Sequence, residues 1–293
     1  MISGILLLDK PAGLSSNAAL QRVRRLLGAD KAGHVGSLDP LATGMLPICL
    51  DEATKVAGDI LAGRKLYRFS VTLGLRTATG DTEGAVVETA PVPQIDSALL
   101  QSVLERFHGR QSQVPPMYSA LKRDGQPLYK LARAGIEVER APRDIEITAL
   151  RLVGRTESVL DLEVLCSKGT YVRTLAEDIA RALGTCGHVT ALRRVYVEPF
   201  VGSSMQTLEE IAAICASGQR PALLAPDQPL QHLAAVNLDA EGTRRVRHGQ
   251  AVLVPGAPQG ERVRLYGAAG EFLGLGEVAQ DEVRPRRLLA APG

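Results

Sequence analysis

The alternation of apolar and polar side chains predicts several β-strands. From Leu66 to Leu73 every second residue is apolar, as expected for a strand with one buried face. A short apolar run at residues 5–8 also indicates a strand, and runs at residues 145–153 and 159–166 indicate a pair of strands. Strands and helices do not alternate in a regular βαβ rhythm, so the pattern favours an α+β fold over a doubly wound α/β fold.

Helical spacing of apolar side chains predicts helices between these strands. Residues 16–27 have an apolar face, with Ser16 or Asn17 as the expected N-cap and Gly28 as the expected end. Asp96 is the expected cap of a second helix, which Gly109 closes. Two further helices are predicted from the spacing of capping boxes, Thr174 with Glu177 and Thr207 with Glu210.

Two segments differ from the rest of the chain. Residues 110–143 carry seven basic and three acidic residues, and they contain prolines, glycines and a short helical pattern near residues 128–134. We interpret them as a basic insertion, which is either a solvated face or a surface for phosphates. Residues 233–293 change to short β-like runs separated by Gly and Pro, which predicts a small all-β module. We therefore expect a first domain at 1–232 and a second at 233–293.

Composition limits the remaining function classes. The chain has 293 residues and a net charge of +2, so no strongly charged partner is required. Its four cysteines are scattered without a zinc-site spacing. The apolar run at residues 5–8 is too short for a secretory signal, and no run approaches the length of a membrane span. We expect a reduced, cytoplasmic protein that binds neither membrane nor metal.

A glycine-rich loop at residues 36–44 is the strongest candidate for chemistry. Asp39 lies in it, directly before Pro40, which disfavours a helical conformation at the aspartate. An aspartate in such a loop is usually a turn residue. The loop lacks the Gly-Lys-Ser/Thr ending of a phosphate-binding loop, and the chain has no Gly-x-Ser-x-Gly motif of a serine hydrolase. Asp39 thus remains either a turn residue or a catalytic carboxylate.

The order of several short motifs decides between these alternatives. They are Asp9-Lys10-Pro11, the run from Gly33 to Gly44, Lys65-Leu66-Tyr67-Arg68-Phe69, Pro115 to Lys122, Lys168 to Thr174, and His188 to Arg194. In this order the chain resembles the bacterial TruB family of tRNA pseudouridine synthases. The resemblance implies a pseudouridine synthase fold with a central mixed, mainly antiparallel sheet, and a PUA-like RNA-binding module at the C-terminus. It also implies isomerisation of uridine 55 in the T-loop of tRNA.

The resemblance assigns roles that the residue types alone do not. Asp39 matches the essential carboxylate, Arg173 its ion-pair partner, and Tyr67 the tyrosine that stacks on the flipped base and can help to take the C5 proton. Without the motif, Tyr67 would be read as a core residue of its strand, and His34 as a surface residue. An arginine beside a carboxylate lowers its pKa, so a lowered pKa is expected for Asp39. The expected substrate-binding residues are His34, Tyr67, Tyr171, Leu192, Lys10 and Lys65, and the two lysines are expected to support the site or to contact phosphates.

The implied partner is tRNA, bound at its T-loop and T-stem. The reaction is redox-neutral and consumes no water, so no cofactor and no metal is expected. No protein partner is implied, and we expect a monomer. The basic insertion at 110–143 matches a thumb-like segment that closes on the T-loop. Two other hypotheses remain: an RNA-binding chaperone that folds tRNA, alone or beside the enzyme activity, and the same chemistry on ribosomal RNA.

Overall fold

The computed structural model describes residues 2–290. An eight-stranded sheet forms the centre of the first domain. Seven strands follow the order β1-β3-β12-β4-β11-β10-β7, and the eighth, β2, pairs with residues 48–50 of β3. Every pairing in this sheet is antiparallel except β3 with β12. The strands up to this point are β1 (Gly4–Lys10), β2 (Ala32–His34), β3 (Thr43–Leu50), β4 (Lys65–Leu73), β5 (Leu75–Thr77), β6 (Val86–Thr89), β7 (Gly109–Gln113), β8 (Lys122–Arg123), β9 (Gln126–Pro127), β10 (Arg143–Arg155), β11 (Val159–Cys166) and β12 (Gly187–Val197). The predicted mixed, mainly antiparallel sheet is confirmed.

Helices cover one face of this sheet. The main apolar core joins β4 side chains such as Phe69 and Val71 to the inner faces of four helices, whereas the opposite face of β4 carries Arg68, paired with Glu163 at 2.8 Å. This division follows from the period-two pattern of the strand. The helices of this part are α1 (Ser16–Leu27), α2 (Ala57–Ala62), α3 (Ser97–Arg106), α4 (Leu128–Arg133), α5 (Val172–Ala182) and α6 (Leu208–Ala216), with short 3-10 turns at Asp51–Val56 and Gln228–Leu230.

The helix ends confirm some predicted caps and correct others. Asp96 caps α3, and Thr207 and Glu210 form a complete capping box at α6. The cap of α1 is Ser15 rather than Ser16 or Asn17. The capping box predicted at Thr174 is wrong, because α5 begins two residues earlier, at Val172, and its N-cap side chain makes no capping hydrogen bond. This earlier start places Arg173 in the first turn of α5.

The basic insertion leaves the sheet between β7 and β10. It contains the small β8–β9 hairpin and the six-residue helix α4, which lies where a short helix was predicted. We call residues 110–143 the thumb segment.

The C-terminal module has its own sheet and its own apolar core. Its sheet has the order β13-β15-β16-β17-β14, and its core is a cluster separate from those of the first domain. The predicted small all-β module is thus confirmed in its sheet, and it also contains two strands, β13 and β17, and one helix, α7, that were not predicted. Its elements are β13 (Ala235–Asn237), α7 (Ala240–Arg247), β14 (Val252–Leu253), β15 (Gly260–Tyr266), β16 (Phe272–Ala279) and β17 (Glu282–Leu288). Across residues 2–290, no helix is long and apolar enough to cross a bilayer.

Candidate active site

The loop that carries Asp39 is held in place from both sides. The Ser16 hydroxyl accepts a hydrogen bond from Leu38 N at 2.7 Å and donates one to Leu38 O at 2.9 Å. Immediately beyond the loop, Gly44 has a φ of 97°, and a side chain there would collide with the backbone of Arg194 on β12. Glycine is therefore required where β3 and β12 meet. These contacts fix the aspartate without using its own carboxylate.

The Asp39 carboxylate forms a two-pronged ion pair with Arg173. Arg173 Nε lies 2.8 Å from Asp39 Oδ2, and Arg173 Nη2 lies 3.2 Å from Oδ1. The arginine side chain is 5% exposed and that of the aspartate 38%, so the carboxylate faces open space and the guanidinium lies behind it. The ion pair expected from the sequence is present.

Three other groups hold Arg173 in this position. Its Nη1 donates to Thr79 O at 2.5 Å, and its Nη2 also donates to Tyr118 O at 2.8 Å. The buried carboxylate of Asp81 lies 3.7 Å from its Nε. The Tyr118 carbonyl belongs to the thumb segment, so that segment is part of the site as well as a surface beside it.

The pKa of Asp39 does not follow the simple expectation. Burial raises it above its ordinary value, Arg173 opposes this rise, and the nearby Asp81 adds to it. We predicted a lowered pKa from the arginine alone, which is wrong because the desolvation of a carboxylate in this cavity outweighs the attraction of the guanidinium. Arg173 is nevertheless the largest influence that keeps Asp39 ionised.

A cavity of about 370 Å³ opens over the Asp39 carboxylate. This volume is in the range of small-molecule sites. Strand β4, strand β12 and the start of α5 supply its walls, and residues 119–121 of the thumb segment cover one side. Six of the sequence-predicted residues line it together: Asp39, Lys65, Tyr67, Tyr171, Arg173 and Leu192.

Lys10 does not line the cavity and needs a different interpretation. Its side chain is completely buried, and its Nζ donates to Pro11 O at 2.8 Å, Leu14 O at 2.6 Å and Pro40 O at 3.3 Å. All three protons are used, which favours a supporting role for Lys10, and its contact with substrate stays a prediction. Lys10 ties β1 to the Asp39 loop through Pro40. Burial lowers its pKa to about 8.

Lys65 and His34 also differ from the simple expectation. Lys65 reaches the cavity wall but is 4% exposed, and its Nζ donates to Leu61 O at 2.7 Å and to Gly63 O. Its burial favours a supporting role over a phosphate contact, which stays a prediction, and burial lowers its pKa to about 8. His34 ends β2, outside the cavity wall; burial lowers its pKa, and its Nδ1 is buried without a hydrogen-bond partner within residues 2–290. Its role stays a prediction.

Sequence reasoning missed two residues that shape the cavity. The buried side chain of Gln113 accepts from Tyr171 N at 2.8 Å and donates to Tyr171 O at 3.1 Å, which fixes the backbone just before α5. Arg194, a further cavity residue, is 1% exposed and donates to Met45 O and Gly36 O. Nothing in the local pattern marks Gln113, and Arg194 follows Arg193 in a strand that also holds His188, so its burial was not visible from the pattern either.

Solved structures share this fold. An H/ACA RNP bound to a substrate RNA containing 2'-deoxyuridine aligns with 98% of this chain and 85% of that chain at a TM-score of 0.73 and 21% identity. An archaeal box H/ACA sRNP complex aligns with 98% of this chain and 86% of that chain at a TM-score of 0.71 and 21% identity. At this identity the likeness supports the fold alone.

Curated relatives are much more similar in sequence. The tRNA pseudouridine synthase B of Nitrosococcus oceani is 50% identical over 292 residues, covering 98% of this chain and 95% of the relative. That of Hydrogenovibrio crunogenus is 49% identical over 290 residues, covering 98% and 94%. That of Pseudomonas putida is 50% identical over 293 residues, covering 98% and 96%.

Family models cover nearly the whole chain in three pieces. The TruB family pseudouridylate synthase N-terminal domain matches residues 24–172, the tRNA pseudouridylate synthase B C-terminal domain matches residues 173–231, and the pseudouridine synthase II TruB C-terminal model matches residues 234–289. The boundary between the first two falls between Val172 and Arg173, at the start of α5. By its sequence, its fold and the residues that line its cavity, this chain belongs to the TruB family of pseudouridylate synthases.

Proposed function

We propose that this chain converts uridine 55 in the T-loop of tRNA to pseudouridine. The observation that carries the proposal is the Asp39 carboxylate, which faces the cavity while a buried arginine holds it from behind at 2.8 Å. Relatives about half identical over nearly the whole chain are tRNA pseudouridine synthases B. The names of these relatives specify tRNA, which favours tRNA over ribosomal RNA as the substrate.

The reaction moves the ribose from N1 of the uracil to C5. The C1′–N1 bond breaks, the base turns, a C1′–C5 bond forms, and the C5 proton is lost while N1 gains one. Asp39 either adds to C1′ or removes a sugar proton to give a glycal, and both routes need the ionised carboxylate. Arg173 holds that carboxylate in its ionised form and in a fixed orientation.

The uridine has to leave the RNA stack to reach Asp39. Base flipping costs a few kcal/mol, and stacking against an aromatic side chain offsets part of this cost. Tyr67, on the wall formed by β4, stacks on the flipped base, and its hydroxyl helps to take the C5 proton. Tyr171 and Leu192 enclose the ring from the other elements that line the cavity. His34 packs into the space that the base has left.

The thumb segment binds the RNA backbone and closes over the T-loop. Its basic side chains set affinity, since contacts to phosphates position a protein without reading sequence. Reversing the charge at Lys122 and Arg133 together should weaken tRNA binding and reduce the slope of log K against log salt by roughly one unit per lost phosphate contact. Reversing Arg151, which is 68% exposed on β10 outside the segment, is the matched control. An unchanged slope in the double variant would remove these two residues from the interface.

We further propose a catalytic domain at 1–232, a PUA-like RNA-binding domain at 233–293, and action as a cytoplasmic monomer. The separate apolar core of the C-terminal module supports the division. The tRNA substrate supports the location.

The decisive experiment uses an unmodified tRNA transcript. The wild-type protein should form pseudouridine at position 55, and Asp39→Asn should form none while still binding the transcript. The control, Asp178→Asn, changes a carboxylate on the outside of α5 and should behave as the wild type. Binding without product by the wild type would leave an RNA chaperone as the better hypothesis. Equal product from Asp39→Asn would overturn the role of Asp39.

A further inference from the structure

Arg194 is a buried cation at the cavity with no acidic partner within residues 2–290. Its Nε donates to Met45 O at 2.7 Å and its Nη2 to Gly36 O at 2.8 Å, and both acceptors are neutral carbonyls. The side chain is 1% exposed. Its neighbour Arg193 differs on each count, because it is 43% exposed and pairs with the Asp9 carboxylate at 2.7 Å. The neighbouring arginine in the chain therefore has a counter-charge that Arg194 lacks within residues 2–290.

A buried charge without a counter-charge is costly, and the fold does not relieve this cost by deprotonation. The cost of burying an ion is several kcal/mol. Lys10 and Lys65, also buried against carbonyl groups, have their pKa values lowered by burial to about 8, so each can lose its proton near neutral pH. A guanidinium does not deprotonate in proteins. Arg194 thus gives the cavity a permanent positive charge.

This charge acts on the groups around the cavity. Among charged neighbours, Arg194 has the largest influence on the pKa of Lys65 and of His34, both of which it lowers, and it opposes the rise that burial causes in the pKa of Tyr67. Lys65 and Tyr67 line the same cavity as Arg194. Arg194 therefore places a positive charge beside the space in which a flipped base would lie, on the side of β4 and β12.

We propose that Arg194 stabilises the negative charge that the uracil ring carries after its bond to ribose breaks. This inference rests on the proposed pseudouridine synthase function. When the C1′–N1 bond breaks, its electron pair stays on the uracil and spreads from N1 over the two carbonyl oxygens. The pair returns to C1′ through C5 when the new bond forms, after which the C5 proton leaves and N1 is protonated. The anion exists only between these steps, so a fixed positive charge favours bond cleavage over the bound ground state.

The fold gives Arg194 a structural task as well, and the test has to separate the two. Gly36 and Met45 lie on either side of the Asp39 loop, so the two hydrogen bonds from Arg194 also brace that loop. Arg194→Lys, assayed at about pH 7, where a lysine buried like Lys65 still holds its proton, keeps the charge and loses the forked geometry. Arg194→Gln keeps one donor group and loses the charge. Arg193→Gln, in the neighbouring partly exposed pair, is the matched control.

The first measurement is the single-turnover rate at saturating tRNA transcript, together with transcript binding and thermal unfolding. We expect Arg194→Gln to lose about 100-fold in rate, the scale seen when one charge-stabilising donor is removed. Arg194→Lys should lose markedly less, and all variants should bind the transcript as the wild type does. A glutamine variant as fast as the lysine variant would overturn the proposal, whatever the thermal unfolding shows.

The second measurement changes the leaving group. A transcript with 5-fluorouridine at position 55 releases a less basic ring anion, which needs less stabilisation. The fold-decrease in single-turnover rate caused by Arg194→Gln should therefore be at least several-fold smaller for the consumption of 5-fluorouridine than for the conversion of uridine. Misplacement of Asp39 would reduce both rates equally, so equal losses would overturn the proposal. Failure of the wild type to form any pseudouridine would instead refute the proposed function itself.

Discussion

Replacement of Arg173 by methionine should move the acid limb of the pH–rate profile to higher pH. The change removes a cation that lies 2.8 Å from Asp39 Oδ2 and leaves Asp39 and Asp81 as two neighbouring carboxylates. An opposite charge at this distance lowers a carboxyl pKa by roughly 1–3 units. The Asp39 side chain is 38% exposed and therefore partly screened by water. We take the lower half of the range, about 1–2 units, which corresponds to about 1.4–2.7 kcal/mol of lost preference for the ionised form.

The direction follows from the protonation state that the reaction needs. Burial already raises the pKa of Asp39, and loss of Arg173 raises it further, so the active carboxylate disappears at a higher pH than in the wild type. The assay is the single-turnover rate with saturating tRNA transcript, measured across the acidic and neutral pH range so that the acid limb is defined for both proteins. Arg181→Met is the control, since Arg181 lies on the same helix, is 67% exposed and pairs only with Asp178. An acid limb at the wild-type position, with a uniformly lower rate, would refute the argument that Arg173 controls the ionisation of Asp39.

The remaining predictions concern residues that support the site. Lys10→Met should change the pH dependence of stability. Between about pH 8 and pH 10.5, the free energy of unfolding of the wild type should rise by about 3 kcal/mol relative to the variant, because the unfolded lysine still binds a proton that the folded one, with a pKa lowered to about 8, has released. A constant difference between the two proteins across this range would contradict the prediction. Gln113→Glu places a carboxylate against the Tyr171 carbonyl in the cavity wall, so the single-turnover rate should fall about tenfold or more, with unchanged tRNA binding. Ser112→Ala, at an exposed neighbour, should have no effect, and equal rates in the two variants would show that the contact of Gln113 with Tyr171 is dispensable. Thr207→Ala should lower the free energy of unfolding by about 1 kcal/mol, because it removes the cap of α6. Thr174→Ala should lower it by less, because Thr174 lies inside α5 and is not its cap, and the reverse order would support the predicted capping box at Thr174.

Local patterns predicted the elements whose burial is periodic. The alternation in residues 66–73 matched β4 because successive side chains of a strand point to opposite faces, and one face meets the helices. The Thr207 capping box was confirmed because its hydrogen bonds are made within one turn. The unpredicted β17 and α7 have charged, Pro- or Gly-containing sequences with little apolar periodicity, and only packing against the module's own core makes them regular.

The start of α5 shows how tertiary contacts override a local signal. Thr174 and Glu177 have the spacing of a capping box, yet the helix begins at Val172. The Gln113 side chain satisfies the backbone N–H and C=O of Tyr171, the residue before the helix. The distant Gln113 side chain thus fixes the backbone where a local cap was predicted to do so. A local sequence pattern does not predict a contact between residues 58 positions apart.

The sequence by itself determined six of the residues that line the cavity and the family from which its chemistry follows, because the motifs around Asp39, Tyr67 and Arg173 lie in a recognisable order. Only the tertiary structure decided how these groups interact. Asp39 and Arg173 are 134 positions apart, and their attraction depends on a distance that folding sets. The raised pKa of Asp39, the complete burial of Lys10 and the unpaired charge of Arg194 likewise depend on which atoms replace water around each group. Desolvation and Coulomb energies are properties of that surrounding volume, and the order of residues along the chain does not specify it.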